Sequence, residues 1–280
     1  MANSLKKIGF VNDLAPNARA GGANRAISLY LEEEPDGVEV QFCTPGDFDK
    51  ECDSYVVFLA KRFTDEQLSH VISKPYVWCG FDWWVDEDGN SKWRNLLPSA
   101  SKLAMFVSPL HERRYTSLYG VRCLSTLVLP PPLDLSRLSA VQTPSTREGA
   151  VWAAEWHAAK GPDLAATLAR KLEINMDMYS PSMPAEVARA RNAFTPFAHP
   201  KGFVQEEEWY ETLARYETLI HTPRVPDAFG YITLEAYALG LKVILAGATG
   251  VESYEMPFGK LLEECGSSAR RFWEAVEAVL

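Results

Sequence analysis

Two carboxylates eight positions apart, Asp227 and Glu235, bracket the segment with the clearest chemical potential. It begins Pro226-Asp227-Ala228-Phe229-Gly230-Tyr231, continues to Glu235 and ends at Gly240, before the apolar run Lys242–Ala246. The pattern is that of a loop opening a helix that returns to a buried strand, with Glu235 about two helical turns beyond Asp227. The backbone N–H groups of Phe229, Gly230 and Tyr231 stand at the helix start, where they have no intrahelical acceptor and suit an anion or sugar hydroxyls. The same window also fits an ordinary helix before a parallel strand, with Glu235 on a solvated face.

A second chemical segment is Trp78-Cys79-Gly80-Phe81-Asp82-Trp83-Trp84, which leaves a strand at the edge where α/β sheets place ligands. Asp82 is the candidate to orient or deprotonate an acceptor hydroxyl. Trp83 and Trp84 can stack on a sugar face or a nucleobase. A turn-capping Asp82 and one core tryptophan are the plainer alternative. Ser108 has the type and place of an N-cap. Behind it, Arg113 and Arg114 form a basic helix face that could border an acceptor groove. Asp47-Phe48-Asp49 has a metal-binding spacing but lies in a polar loop, so it reads as surface. His70, His199 and His221 are not spaced as ligands, and no resident metal or cofactor is expected.

The elements that position these groups alternate strand and helix, the pattern of an α/β protein with parallel strands. Strands are expected at Lys7–Val11, Val38–Cys43, Ser54–Leu59, Pro75–Cys79, Leu103–Val107 and Cys123–Leu129. Helices are expected at Ala23–Glu33, Asp65–Ile72 (capped by Thr64) and Ser108–Tyr119. Pro130-Pro131-Pro132 and the polar stretch Gln142–Gly149 interrupt the alternation. It then restarts with strands at Ala150–Ala154, Ile174–Tyr179, Thr218–His221 and Lys242–Ala246, and a short apolar run at Phe194–Phe197. Helices Pro162–Leu172, Glu206–Tyr216, Tyr231–Leu239 and Ser267–Leu280 accompany them. The reading is two α/β domains, 1–135 and 136–280, facing a cleft.

The 280 residues are 47% hydrophobic and 23% charged, as in ordinary globular proteins, which excludes disordered and fibrous classes. No apolar run is long enough for a bilayer span, and the start lacks a signal-peptide core, so a cytoplasmic protein is expected. The net charge of −9 is spread evenly, with 14 basic and 18 acidic groups before residue 136 and 14 and 19 after it. Neither half is a polybasic module for nucleic acid or anionic membrane. The five cysteines are scattered and read as reduced core thiols.

Four segments in order resemble the retaining glycosyltransferases of family 4, which have the GT-B fold of two Rossmann-like domains. Residues 227–235 resemble the acidic donor-binding motif of that family. Ala20-Gly21-Gly22-Ala23 is similar to its amino-terminal glycine pair, and Leu129-Pro130-Pro131-Pro132-Leu133-Asp134 to its interdomain linker. Lys160-Gly161-Pro162-Asp163-Leu164 is similar to its lysine-containing helix start. The resemblance implies a cytoplasmic transferase that moves a hexosyl or pentosyl group from a nucleotide-sugar to an acceptor hydroxyl, with retention and without a metal. It implies that Gly21, Gly22 and Lys160 face the donor diphosphate and that Asp227, Phe229 and Gly230 hold the transferred sugar. Glu235 would accept ribose hydroxyls, and Asp82, Trp83, Trp84 and Arg113 would serve the acceptor, which is a small molecule, a glycan or a modified DNA base.

Three positions depart from the family. Asp227 stands where it usually has Glu, Phe81 replaces a histidine, and Glu155 replaces an arginine that pairs with the lysine; Arg25, His157 and Arg224 are substitute cations. Two alternatives therefore stand beside the transferase: a virus-type enzyme acting on a hydroxylated DNA base, and a catalytically degenerate nucleotide-sugar-binding protein.

Overall fold

A computed structural model describes residues 6–15, 22–81, 91–184 and 196–280. Gly21, Asp82, Trp83 and Trp84 lie outside the described residues. Contacts divide the chain into two compact units: residues up to Leu133 together with Glu263–Leu280, and Asp134–Leu262.

In the first unit, short β-branched and aromatic runs become six parallel strands: β1 (Lys6–Val11), β2 (Val38–Cys43), β3 (Ser54–Val57), β4 (Tyr76–Gly80), β5 (Leu103–Phe106) and β6 (Thr126–Val128). Their order is β2-β1-β3-β4-β5-β6, with Phe10 opposite Phe42 on one side and Val56 on the other. Every residue of β3, β4 and β5 is buried, as expected of strands covered by helices on both faces. The helices are α1 (Gly22–Glu32), α2 (Asp65–Ile72), α3 (Ser91–Ala100) and α4 (Pro109–Leu118). Thr64 and Gln67 form a reciprocal capping box at α2, and the Ser108 hydroxyl accepts from the His111 amide at α4. The sequence does not announce α3, because Pro98 lies inside it.

The second unit holds five parallel strands, β7 (Ala150–Ala153), β8 (Met176–Tyr179), β9 (Ala198–Gly202), β10 (Thr218–His221) and β11 (Lys242–Leu245), in the order β11-β10-β7-β8-β9. Alternation along the strands builds two cores. Val151 and Leu219 pack with Tyr210, Leu213, Ala236 and Leu239 on one face, while Ala150, Trp152 and Ile220 pack with Ala165, Ala166 and Ala169 on the other. The alanines belong to α6 (Pro162–Leu172), and their small size lets that helix lie against Trp152. The other helices are α5 (Leu135–Ala140), α7 (Trp209–Leu213) and α8 (Tyr231–Ala238).

Four expectations are corrected. The stretch read as a plain linker contains α5, because the Asp134 carboxylate accepts from the Arg137 amide at 2.9 Å and caps a turn there. The third strand of this sheet is Ala198–Gly202, beyond the apolar run at 194–197; its residues alternate between buried and open, so polar side chains fit it. The helix expected over 206–216 is a 3-10 turn, Glu206–Glu208, followed by the short α7. The largest change concerns the end of the chain: the second unit stops at Leu262, not Leu280. Helix α9 (Phe258–Gly266) leads into α10 (Ser268–Val279), which completes the core of the first unit. There Phe272 stacks on Tyr30 at 4.0 Å, Trp273 stacks on Phe10 at 5.5 Å, and the Trp273 indole donates to the Tyr30 carbonyl at 2.7 Å. All five thiols are free, and all but Cys123 are buried.

Candidate functional site

Open α/β sheets bind ligands outside the carboxyl ends of their strands, where the strand order reverses. In the second sheet that point lies between β7 and β10, which are neighbours though the chain leaves them in opposite directions.

The segment after β7 turns tightly. His157 caps a 3-10 turn, Ala158–Lys160, by accepting the Ala159 N–H on Nδ1 at 3.2 Å. Gly161 follows at φ 63°, ψ 47°, a left-handed conformation in which a β-carbon would meet the Thr222 carbonyl oxygen. Pro162 then opens α6. The segment after β10 is sewn to this turn. The fully buried Thr222 donates its hydroxyl to the Gly161 carbonyl at 2.8 Å, and the Arg224 and Val225 amides both donate to the Ala159 carbonyl.

This stitching brings Lys160 to Asp227, with Nζ 2.5 Å from Oδ1. The other carboxylate oxygen, Oδ2, lies 2.7 Å from Nε2 of His221, the last residue of β10, which is 2% exposed. Burial pushes the Asp227 pKa up. The hydrogen bond from His221 and the charge of Lys160 outweigh it, so the carboxyl is held below the ordinary aspartate value. The backbone of Asp227 is fixed by the segment after β11: its N–H donates to the Ala248 carbonyl and its carbonyl accepts from Gly250. Gly247 at φ 151° lets that segment pass the Pro223 carbonyl.

Gly230, at φ 91°, is the N-cap of α8 and supplies no side-chain cap. The amides of Phe229 and Gly230 make no hydrogen bond among the described residues. The site therefore offers a cation, an ionised carboxylate and open backbone donors from two neighbouring strand ends, a set that suits a phosphate beside a polyhydroxyl group. A hollow of about 640 Å³ at the opposite edge of this sheet offers the reverse: Glu148, Glu173, Asp177 and Glu217 line it against a single arginine, Arg215, so it repels a diphosphate.

Glu235 is neither on a solvated face nor open at the strand ends. It is 1% exposed, and the Trp209 indole and Tyr210 hydroxyl each donate to one of its oxygens at 3.4 Å. Two of the three substitute cations have structural tasks, since Arg224 pairs with Asp163 at 2.5 Å and His157 caps its turn. Arg25 lies on α1 of the first unit. Glu155 is exposed and makes no ion pair among the described residues.

In the first unit, Gly22 begins α1 and Arg113 is exposed on α4. Phe81 packs between Tyr30 and Phe58 as core. Asp49 is bound to Lys7 at 2.5 Å, which draws its pKa down, and Asp47 closes a small turn with Thr44. Among the described residues no cluster of three histidine, cysteine, aspartate or glutamate side chains is arranged for a metal. Sequence reasoning missed His221, Thr222 and the Gly247–Gly250 segment. The available signals were a histidine closing a buried strand and two glycines after the next one.

No protein-family model matches the chain, and a search of curated proteins finds no match. Solved structures do match. Anabaena Alr3699/HepE in complex with UDP and glucose aligns with 16% identity and a TM-score of 0.67, over 93% of this chain and 89% of that one. Sucrose-phosphate synthase from Thermosynechococcus elongatus aligns with 13% identity and a TM-score of 0.63, over 98% and 96% of the two chains. A trehalose-6-phosphate synthase, studied for glycosyl transfer with retention, aligns with 8% identity and a TM-score of 0.65, over 98% and 99%. The fold is GT-B. Identities this low establish the architecture alone. No helix among the described residues is long and apolar enough to cross a membrane.

Proposed function

We propose that the chain transfers a sugar from a nucleotide-sugar donor to an acceptor hydroxyl. The observation that carries the reading is the meeting of Lys160 and Asp227 from the ends of two adjacent strands at the switch point of the second sheet. Structures of this fold solved with UDP, with UDP and glucose, and with UDP-glucose support it.

In this reading Lys160 and the amides of Phe229 and Gly230 receive the diphosphate. Asp227 accepts hydroxyls of the transferred sugar. The resemblance assigns Glu235 to the ribose, although in this structure its carboxylate is buried and accepts from Trp209 and Tyr210. As the glycosidic bond to phosphate breaks, negative charge grows on the leaving nucleoside diphosphate. A preorganised lysine and fixed N–H dipoles stabilise that charge without rearrangement, and the proposal assigns no metal to this step. Retention follows the resemblance to family 4 and the likeness to the trehalose-6-phosphate synthase. The acceptor is assigned to the first unit. A DNA-base acceptor is disfavoured by the net charge of −9, which repels a polyanion.

Thermal stabilisation by a panel of nucleotide-sugars, followed by product detection, tests the proposal. A donor should raise the melting temperature by mass action, and Lys160→Ala should weaken that donor by at least about tenfold, the loss of one charge-assisted contact. Binding without transfer or hydrolysis would indicate a degenerate binder. Retained activity after chelation, with an anomerically retained product by NMR, is the expected outcome for the chemistry.

A further inference from the structure

Asp227 is held from two sides by groups of unlike freedom. Lys160 is about one-third exposed, at 34%, on a flexible stem, whereas His221 is 2% exposed at the end of a central strand. Facing an ionised carboxylate oxygen at 2.7 Å, Nε2 carries the imidazole proton. The other ring nitrogen, Nδ1, is buried without a hydrogen-bond partner among the described residues. A histidine serving only as packing would be a costly choice here, since an aliphatic side chain would fill the strand end without an orphaned polar atom. The polar capacity of His221 is spent on Asp227 alone.

An arriving diphosphate competes for Lys160, because two phosphate charges attract the ammonium more strongly than one carboxylate does. When the lysine turns, Asp227 loses its bond at Oδ1 and keeps the one at Oδ2. We propose that His221 is a positioning residue of the donor site: it anchors Oδ2 so that Oδ1 stays directed at the donor sugar once Lys160 has moved to the diphosphate. The inference rests on the donor-site reading above and adds a residue to it.

The test uses the full chain with UDP-glucose and with UDP, its sugar-free counterpart, in wild type and in His221→Leu, His221→Gln and Asp227→Asn. His221→Leu should weaken UDP-glucose about tenfold while leaving UDP within about twofold, because only the sugar meets Asp227. His221→Gln, which returns an N–H near the Nε2 position, should recover most of the loss. Equal weakening of UDP and UDP-glucose, or no recovery in His221→Gln, would overturn the role and leave His221 as packing. If His221→Leu fails to fold, the comparison of His221→Gln with Asp227→Asn decides: the first should bind UDP-glucose nearly as wild type and the second about tenfold more weakly. Asp227→Asn with unchanged UDP-glucose affinity, or a wild type that binds no nucleotide-sugar of the panel above, would overturn the donor-site reading itself. Weakening by Asp227→Asn with none in His221→Leu would overturn only the present inference.

Discussion

At residue scale, Asp227 links the site to stability. Its folded pKa lies below the unfolded value of about 3.9, so its ionisation contributes stability that is fully present above that pH and is lost as pH falls through the folded value. Urea denaturation of wild type and Asp227→Asn should therefore show a gap at pH 7 that narrows below about pH 4; a gap independent of pH would mean that the carboxylate charge is not what stabilises the loop. Glu155 behaves differently because it is exposed. Glu155→Arg should tighten nucleotide-sugar binding by no more than about threefold at 0.15 M salt, and by more at low ionic strength where screening weakens. Isothermal titration at two salt concentrations checks it. Lys160 and Asp227 were legible as separate candidates. Their contact was not, because it depends on how two loops 67 positions apart close on each other. His221 was missed for the same reason: a histidine closing a buried strand does not announce the carboxylate it will meet.

At the scale of elements, the buried strands were the most legible, since β1, β3, β4 and β10 each carry a short apolar run. Strand β9, Ala-His-Pro-Lys-Gly, carries no such run, and its place depends on pairing with β8. Helix α6 was readable to the residue because Gly161 and Pro162 mark its start. That glycine also sets how β7 hands the chain to the site. Gly161→Ala should destabilise the protein by about 1–3 kcal/mol, from the left-handed backbone and the clash with the Thr222 carbonyl. It should also weaken donor binding, because the loop carrying Lys160 must shift. Denaturation together with donor titration reads both effects. A variant with wild-type stability would show that the loop has another conformation of equal energy.

At the scale of the whole molecule, the sequence showed two α/β halves but not the return of the chain. An amphipathic helix after the last strand reads equally well as a cover for either sheet, and only the stacking of Phe272 and Trp273 on Tyr30 and Phe10 decides. Trp273 is 3% exposed and bonded through its indole, so Trp273→Ala should cost about 3–5 kcal/mol, the range for emptying a buried aromatic site. The loss should fall on the first unit. Amide exchange in β1 and α1 should accelerate far more than in β7 and β10, and uniform acceleration would mean that the units unfold as one.

Because α10 packs on strands made at the beginning of the chain, biosynthesis meets the two units in inverted order. The ribosome releases Asp134–Leu262 as one uninterrupted stretch, while the first sheet waits, with Phe10 and Tyr30 uncovered, for Phe272 and Trp273 to emerge. Amino-terminal domains usually finish first during translation. Here the carboxyl-terminal one should mature earlier, and the interval leaves an aromatic surface for a chaperone to shield. Nascent chains that end at Leu262 and are followed by a linker long enough to fill the ribosomal exit tunnel should accordingly resist protease in the second unit and remain sensitive in the first.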